Sequence, residues 1–208
     1  MFTGIVQGKG EVVGLVRKAG LLSITLRLPE GARGGVEMGA SIAVDGVCLT
    51  VTSHDDAAGF ASFDIMQQTL DLTSLSSLEK GAIVNVERSA KAFAEIGGHC
   101  VSGHIDGVAE VVGREVAENN LRLSYRFPSA LAKYLFPKGF VALNGCSLTI
   151  AAIDPLASSL MVCFIPETLR ATTHGEKREG DRVNLEVDRQ TQAIVDTVER
   201  VLAARSPA

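Results

Sequence analysis

GVCLTV, residues 46–51, and GCSLTI, residues 145–150, are two writings of one phrase. They share Gly, Leu and Thr at matching places and lie 145 − 46 = 99 residues apart. Each follows a polar residue, Asp45 or Asn144, so each reads as a tight turn feeding a short buried strand. The displacement recurs along the chain. TGIVQGKGEVVG (3–14) falls on SGHIDGVAEVVG (102–113), FDIMQQTL (63–70) on VCFIPETL (162–169), and KGAIVNVE (80–87) on EGDRVNLE (179–186). Four blocks holding one offset imply matching loop lengths between two copies. Solenoid units are shorter and more numerous, so a long unit present twice is a duplicated domain.

Each copy reads as β-structure. Residues 22–28, 41–44, 48–52 and 83–87 are short runs rich in Val, Ile, Leu and Thr, punctuated by Gly39, Asp45-Gly46 and Lys80-Gly81. Several short strands at this spacing suit a closed barrel or a sandwich, and closure removes exposed edges. One helical interruption per copy is expected, over 67–74 and over 166–173, where Pro166 suits a first turn. Beyond Asp188 the repeat stops. RQTQAIVDTVERVLAAR sets Ile194, Val198, Val201 and Leu202 on one helical face, a pattern that fits a capping helix or an oligomerisation helix.

Composition narrows the function. The chain has 208 residues, 46% hydrophobic and 21% charged, with a formal net charge of -4. With that charge and scattered Lys and Arg no basic footprint for nucleic acid appears, and with no Trp and two Tyr stacking platforms are poorly supplied. No run of apolar residues is long enough to span a membrane, and the first residues lack a signal-peptide pattern. Cys48, Cys100, Cys146 and Cys163 have no CxxC spacing and are expected as free thiols in a reducing cytoplasm. His99, Cys100 and His104 invite a metal, but a strand would scatter them over both faces, so no metal is expected.

Within one chain the two copies control for each other. Agreement at Gly4/Gly103, Gly8/Gly107 and Gly46/Gly145 points to turns and bulges, and Gly4 and Gly103 also admit close approach by a flat ligand. Thr50/Thr149 and Thr69/Thr168 agree as hydroxyls in apolar surroundings, as a polar pocket needs. The copies differ at Ile5/His104, Ser41/Phe140, Val47/Cys146, Cys48/Ser147 and Asp64/Cys163, where two sites could divide labour. His104 can accept or donate a proton and suits proton transfer.

MFTGIV, GVCLTV, NVER, GGHCVSGHIDG, GCSLTI, IPETL and DTVERVLAAR together resemble the alpha-type riboflavin synthase family, in order and over essentially the whole chain. The resemblance implies an all-β fold of two tandem six-stranded Greek-key barrels plus a C-terminal α-helix that builds a homotrimer. The corresponding units are 1–97, 98–188 and 189–208. It implies a cofactor-free dismutation of two molecules of 6,7-dimethyl-8-ribityllumazine, with lumazine synthase as a candidate protein partner. Carried over residue by residue, the first barrel's pocket would use Gly4, Ile5, Val6, Cys48, Leu49, Thr50, Asp64, Ile65, Met66, Gln67, Gln68 and Thr69. The second would use Gly103, His104, Ile105, Lys138, Ser147, Leu148, Thr149, Cys163, Phe164, Ile165, Pro166, Glu167 and Thr168. For reactivity the candidates are His104 as proton shuttle, Ser41 or Cys48 at the acceptor carbon, and Phe2 as packing. The family often carries an acid where this chain has Asn144; here the acid is Asp45. A non-catalytic lumazine protein of the same ancestry is the alternative, and the polar residues kept in both pockets favour the enzyme.

Overall fold

The computed structural model describes residues 1–118 and 120–205. Six strands, β1 (Gly8–Lys18), β2 (Leu21–Arg27), β3 (Ser41–Val44), β4 (Val47–Asp55), β5 (Phe60–Met66) and β6 (Ile83–Arg88), form a closed antiparallel barrel in the order β1-β2-β5-β4-β3-β6. Alternation explains why these residues make this wall. In β2, Leu22, Ile24 and Leu26 are at most 1% exposed, while Ser23, Thr25 and Arg27 face outward. Phe63 and Ile65 of β5 meet them inside, each fully buried side chain contributing roughly 1.5–3 kcal/mol.

The second copy runs β7 (Gly107–Ala117), β8 (Asn120–Arg126), β9 (Phe140–Leu143), β10 (Cys146–Thr149), β11 (Ala152–Asp154), β12 (Ser159–Phe164) and β13 (Arg182–Val187). Its sheet order, β10-β9-β13-β7-β8-β12-β11, is the same ring opened inside its fourth strand. In the first copy that strand carries a bulge between Val51 and Ser53; in the second it breaks into β10 and β11. The Ala151 N–H still donates to the Met161 carbonyl, 2.9 Å, so the irregularity is common to both copies and only its severity differs.

The expected helical interruptions are present but shorter. α1 (Gln67–Leu72) and α2 (Pro166–Ala171, the proline in its first turn) each pass into a 3-10 turn, Ser74–Ser77 and Thr173–Glu176. Thr73 and Thr172 mark the junctions, each accepting a backbone N–H two residues on. α3 (Arg189–Arg205) lies on the outside of the second barrel. Lys133 donates to Asp196 (3.1 Å) and Glu199 (2.5 Å), and the Tyr134 hydroxyl donates to Asp196 (2.5 Å). Ile194, Val198 and Val201 on this helix are exposed.

The barrels meet about a pseudo-two-fold axis at the turns Asp45-Gly46 and Asn144-Gly145. Gly46 and Gly145 touch backbone to backbone: a Cβ on Gly46 would lie 2.5 Å from the Gly145 nitrogen. Both have positive φ, as have Asp45 (43°) and Asn144 (44°) before them. Around the axis the polar contacts are reciprocal. Asn85 Nδ2 donates to the Asn144 carbonyl (2.9 Å) and Asn184 Nδ2 to the Asp45 carbonyl (2.8 Å). Asn184 Oδ1 accepts from Ser74 N and Asn85 Oδ1 from Thr173 N.

Candidate active site

The segment before each barrel leaves its own barrel and lies against the other. Two carboxylates start this path. Glu87 accepts from Thr3 N (2.7 Å), Thr3 Oγ1 (2.8 Å) and Gly4 N (3.1 Å); Glu186 accepts from Ser102 N and Oγ (both 2.7 Å) and Gly103 N (2.9 Å). Burial raises the Glu87 carboxyl above its ordinary value, and the hydrogen bonds from Thr3 and Gly4 oppose that. Beyond these anchors, Ser147 N donates to the Gly4 carbonyl (2.8 Å) and Cys48 N to the Gly103 carbonyl (2.9 Å). Val6 is then buried in the second barrel's core, and Ile105 packs on the first barrel's core.

This exchange corrects the sequence-based grouping of pocket residues. Gly103, His104 and Ile105 belong with the first barrel, where they line a cavity of about 210 Å³ together with Val47, Cys48, Gln68, Thr69, Leu72 and Thr73. Gly4 and Val6 lie against the second barrel, Gly4 beside Ser147, while Ile5 lines a cleft with Arg33, Glu87 and Arg88 of the first copy. A Cβ on Gly4 would lie 2.5 Å from Ser147 Cβ, and one on Gly103 would lie 2.6 Å from Cys48 Cβ, so their bare backbones let the other barrel approach.

The remaining candidates separate by orientation. Cys48 is half-buried, while His104 is exposed at the cavity edge; the His104 carbonyl accepts a short hydrogen bond from Arg189 at the start of α3. Phe2 is 1% exposed; its ring backs Gly103, its backbone pairs with Val101, and it shares a small cluster with Ala43, Val101, Ala142 and Cys48. Ser41 pairs with Thr50 across β3 and β4, and Thr50 is exposed on the outer face. Leu49, Ile65, Leu148 and Phe164 point into the barrel cores, so only their backbones are available to a ligand. Asp64, Met66, Gln67, Thr149, Cys163, Ile165, Pro166 and Glu167 face outward: Asp64 accepts from Ser23 Oγ (2.6 Å), Gln67 donates to Asp71 (2.7 Å), and Glu167 pairs with Arg170 (2.5 Å). Thr168 is half-buried, its carbonyl accepting from Thr172 Oγ1, and Lys138 occupies a left-handed turn, φ 66°, against the Ile150 carbonyl.

The sequence reading passed over two groups. His99 was weighed only as a metal ligand with His104, yet the two part company: His99 Nδ1 lies 2.6 Å from Ser147 Oγ, at the second barrel. Among the described residues no group of three or more His, Cys, Asp or Glu could hold a metal ion. Asn85 and Asn184 build the barrel interface. Their signal was available, as a polar residue repeated in register within the apolar VNVE and VNLE strands. Cys146 is a core residue whose thiol burial pushes up to about 12.

The lumazine binding domain profile matches residues 3–89 and again 102–188. Riboflavin synthase of Escherichia coli (strain K12) is 48% identical over 209 residues, covering 100% of this chain and 96% of that protein. Riboflavin synthase of Chlamydia pneumoniae is 42% identical, covering 98% of each. Among solved structures, LumP complexed with 6,7-dimethyl-8-(1'-D-ribityl) lumazine superposes with a TM-score of 0.80 at 27% identity, covering 90% of this chain and 99% of that one.

Proposed function

The chain belongs to the riboflavin synthase family, built from two lumazine binding domains, and from that premise we propose how its two pockets share one reaction. The reaction is a dismutation. Two molecules of 6,7-dimethyl-8-ribityllumazine react, one giving a four-carbon unit to the other, to yield riboflavin and 5-amino-6-ribitylaminouracil. The observation that carries our reading is the mixed parentage of the first pocket, with Cys48, Gln68 and Thr69 from the first copy and Gly103, His104 and Ile105 from the second. Each pocket takes one lumazine, and holding two rings together makes the carbon transfer intramolecular, where much of the rate gain arises.

In this reading His104 moves the proton at the cavity edge, Cys48 or Ser41 stands at the acceptor carbon, and Phe2 forms the wall behind them. Ser147, Thr149, Thr168 and Lys138 with Gly4 and Val6 frame the second pocket. The chain works as a homotrimer, the first barrel of one subunit facing the second barrel of its neighbour. Support comes from α3, pinned by Lys133 and Tyr134 while Ile194, Val198 and Val201 stay exposed. The functional units are 1–97, 98–188 and 189–208, of which 206–208 lie outside the described residues. Four unpaired cysteines suit the cytoplasm. Lumazine synthase, which by its name makes a lumazine, is the protein partner this chemistry suits.

The test is turnover. Purified protein given the lumazine alone, with no metal, nucleotide or reductant, is expected to give one riboflavin per two lumazines consumed. Binding without flavin formation would favour the non-catalytic lumazine-protein alternative; one riboflavin per lumazine would exclude dismutation.

A further inference from the structure

His99 and Ser147 make a contact that the first pocket lacks. The ring nitrogen Nδ1 of His99 lies 2.6 Å from Ser147 Oγ, and both partners are pinned. The His99 ring lies nearly parallel to the Phe140 ring, centroids 5.1 Å apart and planes 15° off. Its backbone N–H donates to the Thr3 carbonyl (3.2 Å). Gly98 before it has no room for a side chain, since a Cβ would fall on the Thr3 carbonyl oxygen and 2.7 Å from Ser147 Cβ. Ser147 is fixed through its own N–H on Gly4. Its counterpart Cys48 has the same backbone bond, to Gly103, but its thiol makes no hydrogen bond among the described residues.

The protonation state follows from burial. The ring is buried and held below the ordinary histidine range by loss of water, against a weaker opposing pull from Asp188, so it is neutral at physiological pH. One nitrogen therefore carries the proton. Nε2 is buried with no partner. A buried orphan N–H is rarer than an orphan acceptor, so the tautomer assigned here carries its proton on Nδ1, with Nε2 as the acceptor. Nδ1–H then donates to Ser147 Oγ, so the serine's own hydroxyl proton is free to point elsewhere. Ser147 is half-buried beside Gly4, so that proton can reach a ligand in the second pocket.

We propose that His99 is a positioning residue: it holds the Ser147 hydroxyl as a hydrogen-bond donor toward an oxygen or ring nitrogen of the lumazine in the second pocket, and so makes the two pockets unequal toward identical molecules. This rests on the reading that each barrel takes one lumazine.

The experiment measures lumazine binding per chain and steady-state turnover for wild type, His99→Leu, His99→Asn, Ser147→Ala and the Leu/Ala double variant, in the full-length protein. His99→Leu and Ser147→Ala are each expected to weaken one of the two binding events about fivefold to tenfold, the range of one hydrogen bond, and to leave the other unchanged. The double variant is expected to be no weaker than either single, because both remove one interaction. His99→Asn, whose amide N–H replaces Nδ1–H, is expected to recover most of the affinity. Affinities untouched by His99→Leu, losses that multiply in the double variant, or an Asn variant as weak as Leu would each overturn the proposal. If the Leu variant does not fold, His99→Asn with and without Ser147→Ala carries the comparison: Asn must bind like wild type and lose affinity only with the serine. A wild-type chain that binds one lumazine would instead refute the two-pocket reading, separately from any effect at His99.

Discussion

Replacing Asp45 by Asn tests the barrel interface at a point where the chain supplies its own control. Asp45 and Asn144 occupy equivalent left-handed turns; Asp45 Oδ1 accepts from Asn85 N (2.8 Å) and Asn144 Oδ1 from Asn184 N (2.7 Å). An amide therefore already makes this bond in this fold. The carboxylate suits the place less well. Asp45 is 6% exposed, and burial raises it from 3.8 to about 6, the Asn85 N–H and the Lys177 charge only partly opposing that. A folded value above the unfolded one means that ionisation opposes folding. The cost is absent below about pH 4, grows between 4 and 6, and is complete above 6. At 1.36 kcal/mol per unit, the difference of 6 − 3.8 comes to about 3 kcal/mol at neutral pH. Asp45→Asn removes that cost but adds an amide N–H. Asn144 Nδ2 is itself buried without a partner, and a second such group costs about 1–3 kcal/mol at every pH. The net gain at neutral pH is therefore small, about 0–2 kcal/mol by those magnitudes. The informative quantity is the change with pH. Denaturant unfolding of both proteins from pH 4 to 8 is expected to show the variant gaining on wild type by about 3 kcal/mol, with most of the change between pH 4 and 6. A stability difference that stays flat across this range would refute the reasoning, because only Asp45 titration makes it depend on pH.

At the pocket, His104→Ala should lower kcat about 100-fold or more while leaving lumazine affinity little changed, as expected of a group that acts by proton transfer. Steady-state kinetics with a binding isotherm checks this, and an unchanged kcat would remove His104 from the chemistry. Ending the chain after Gln190 keeps Arg189 on the His104 carbonyl but deletes the exposed apolar face of α3. The product should sediment smaller than the intact protein, lose most activity when dilute, and recover part of it as concentration rises. A monomer fully active at every dilution would rule out a site shared between subunits.

The duplication, the turns and the strand faces were legible in the sequence because each depends on local chemistry. Asp45-Gly46 and Asn144-Gly145 demand positive φ, and the alternation in β2 writes its buried face residue by residue. Which barrel each leading segment packs on was not legible. A repeat has the same pattern whether its leading segment packs on its own barrel or on the other, so nothing in residues 3–6 or 102–105 indicates that Val6 completes the second core and Ile105 adjoins the first. Distance hid His99 in the same way: its partner Ser147 lies 48 positions on, while His104 is nearby in sequence and suggested the wrong companion.

The exchanged segments also bear on how such a chain is made. A ribosome delivers the first barrel's strands before Gly103 and Ile105 have emerged, so that barrel waits with one side of its core uncovered and Cys48 without its backbone partner. Val6, synthesised almost first, finds its place only when the second barrel closes around it. The exchanged contacts of both barrels therefore form together, late in synthesis, and a defect in either copy is felt at the surface of the other.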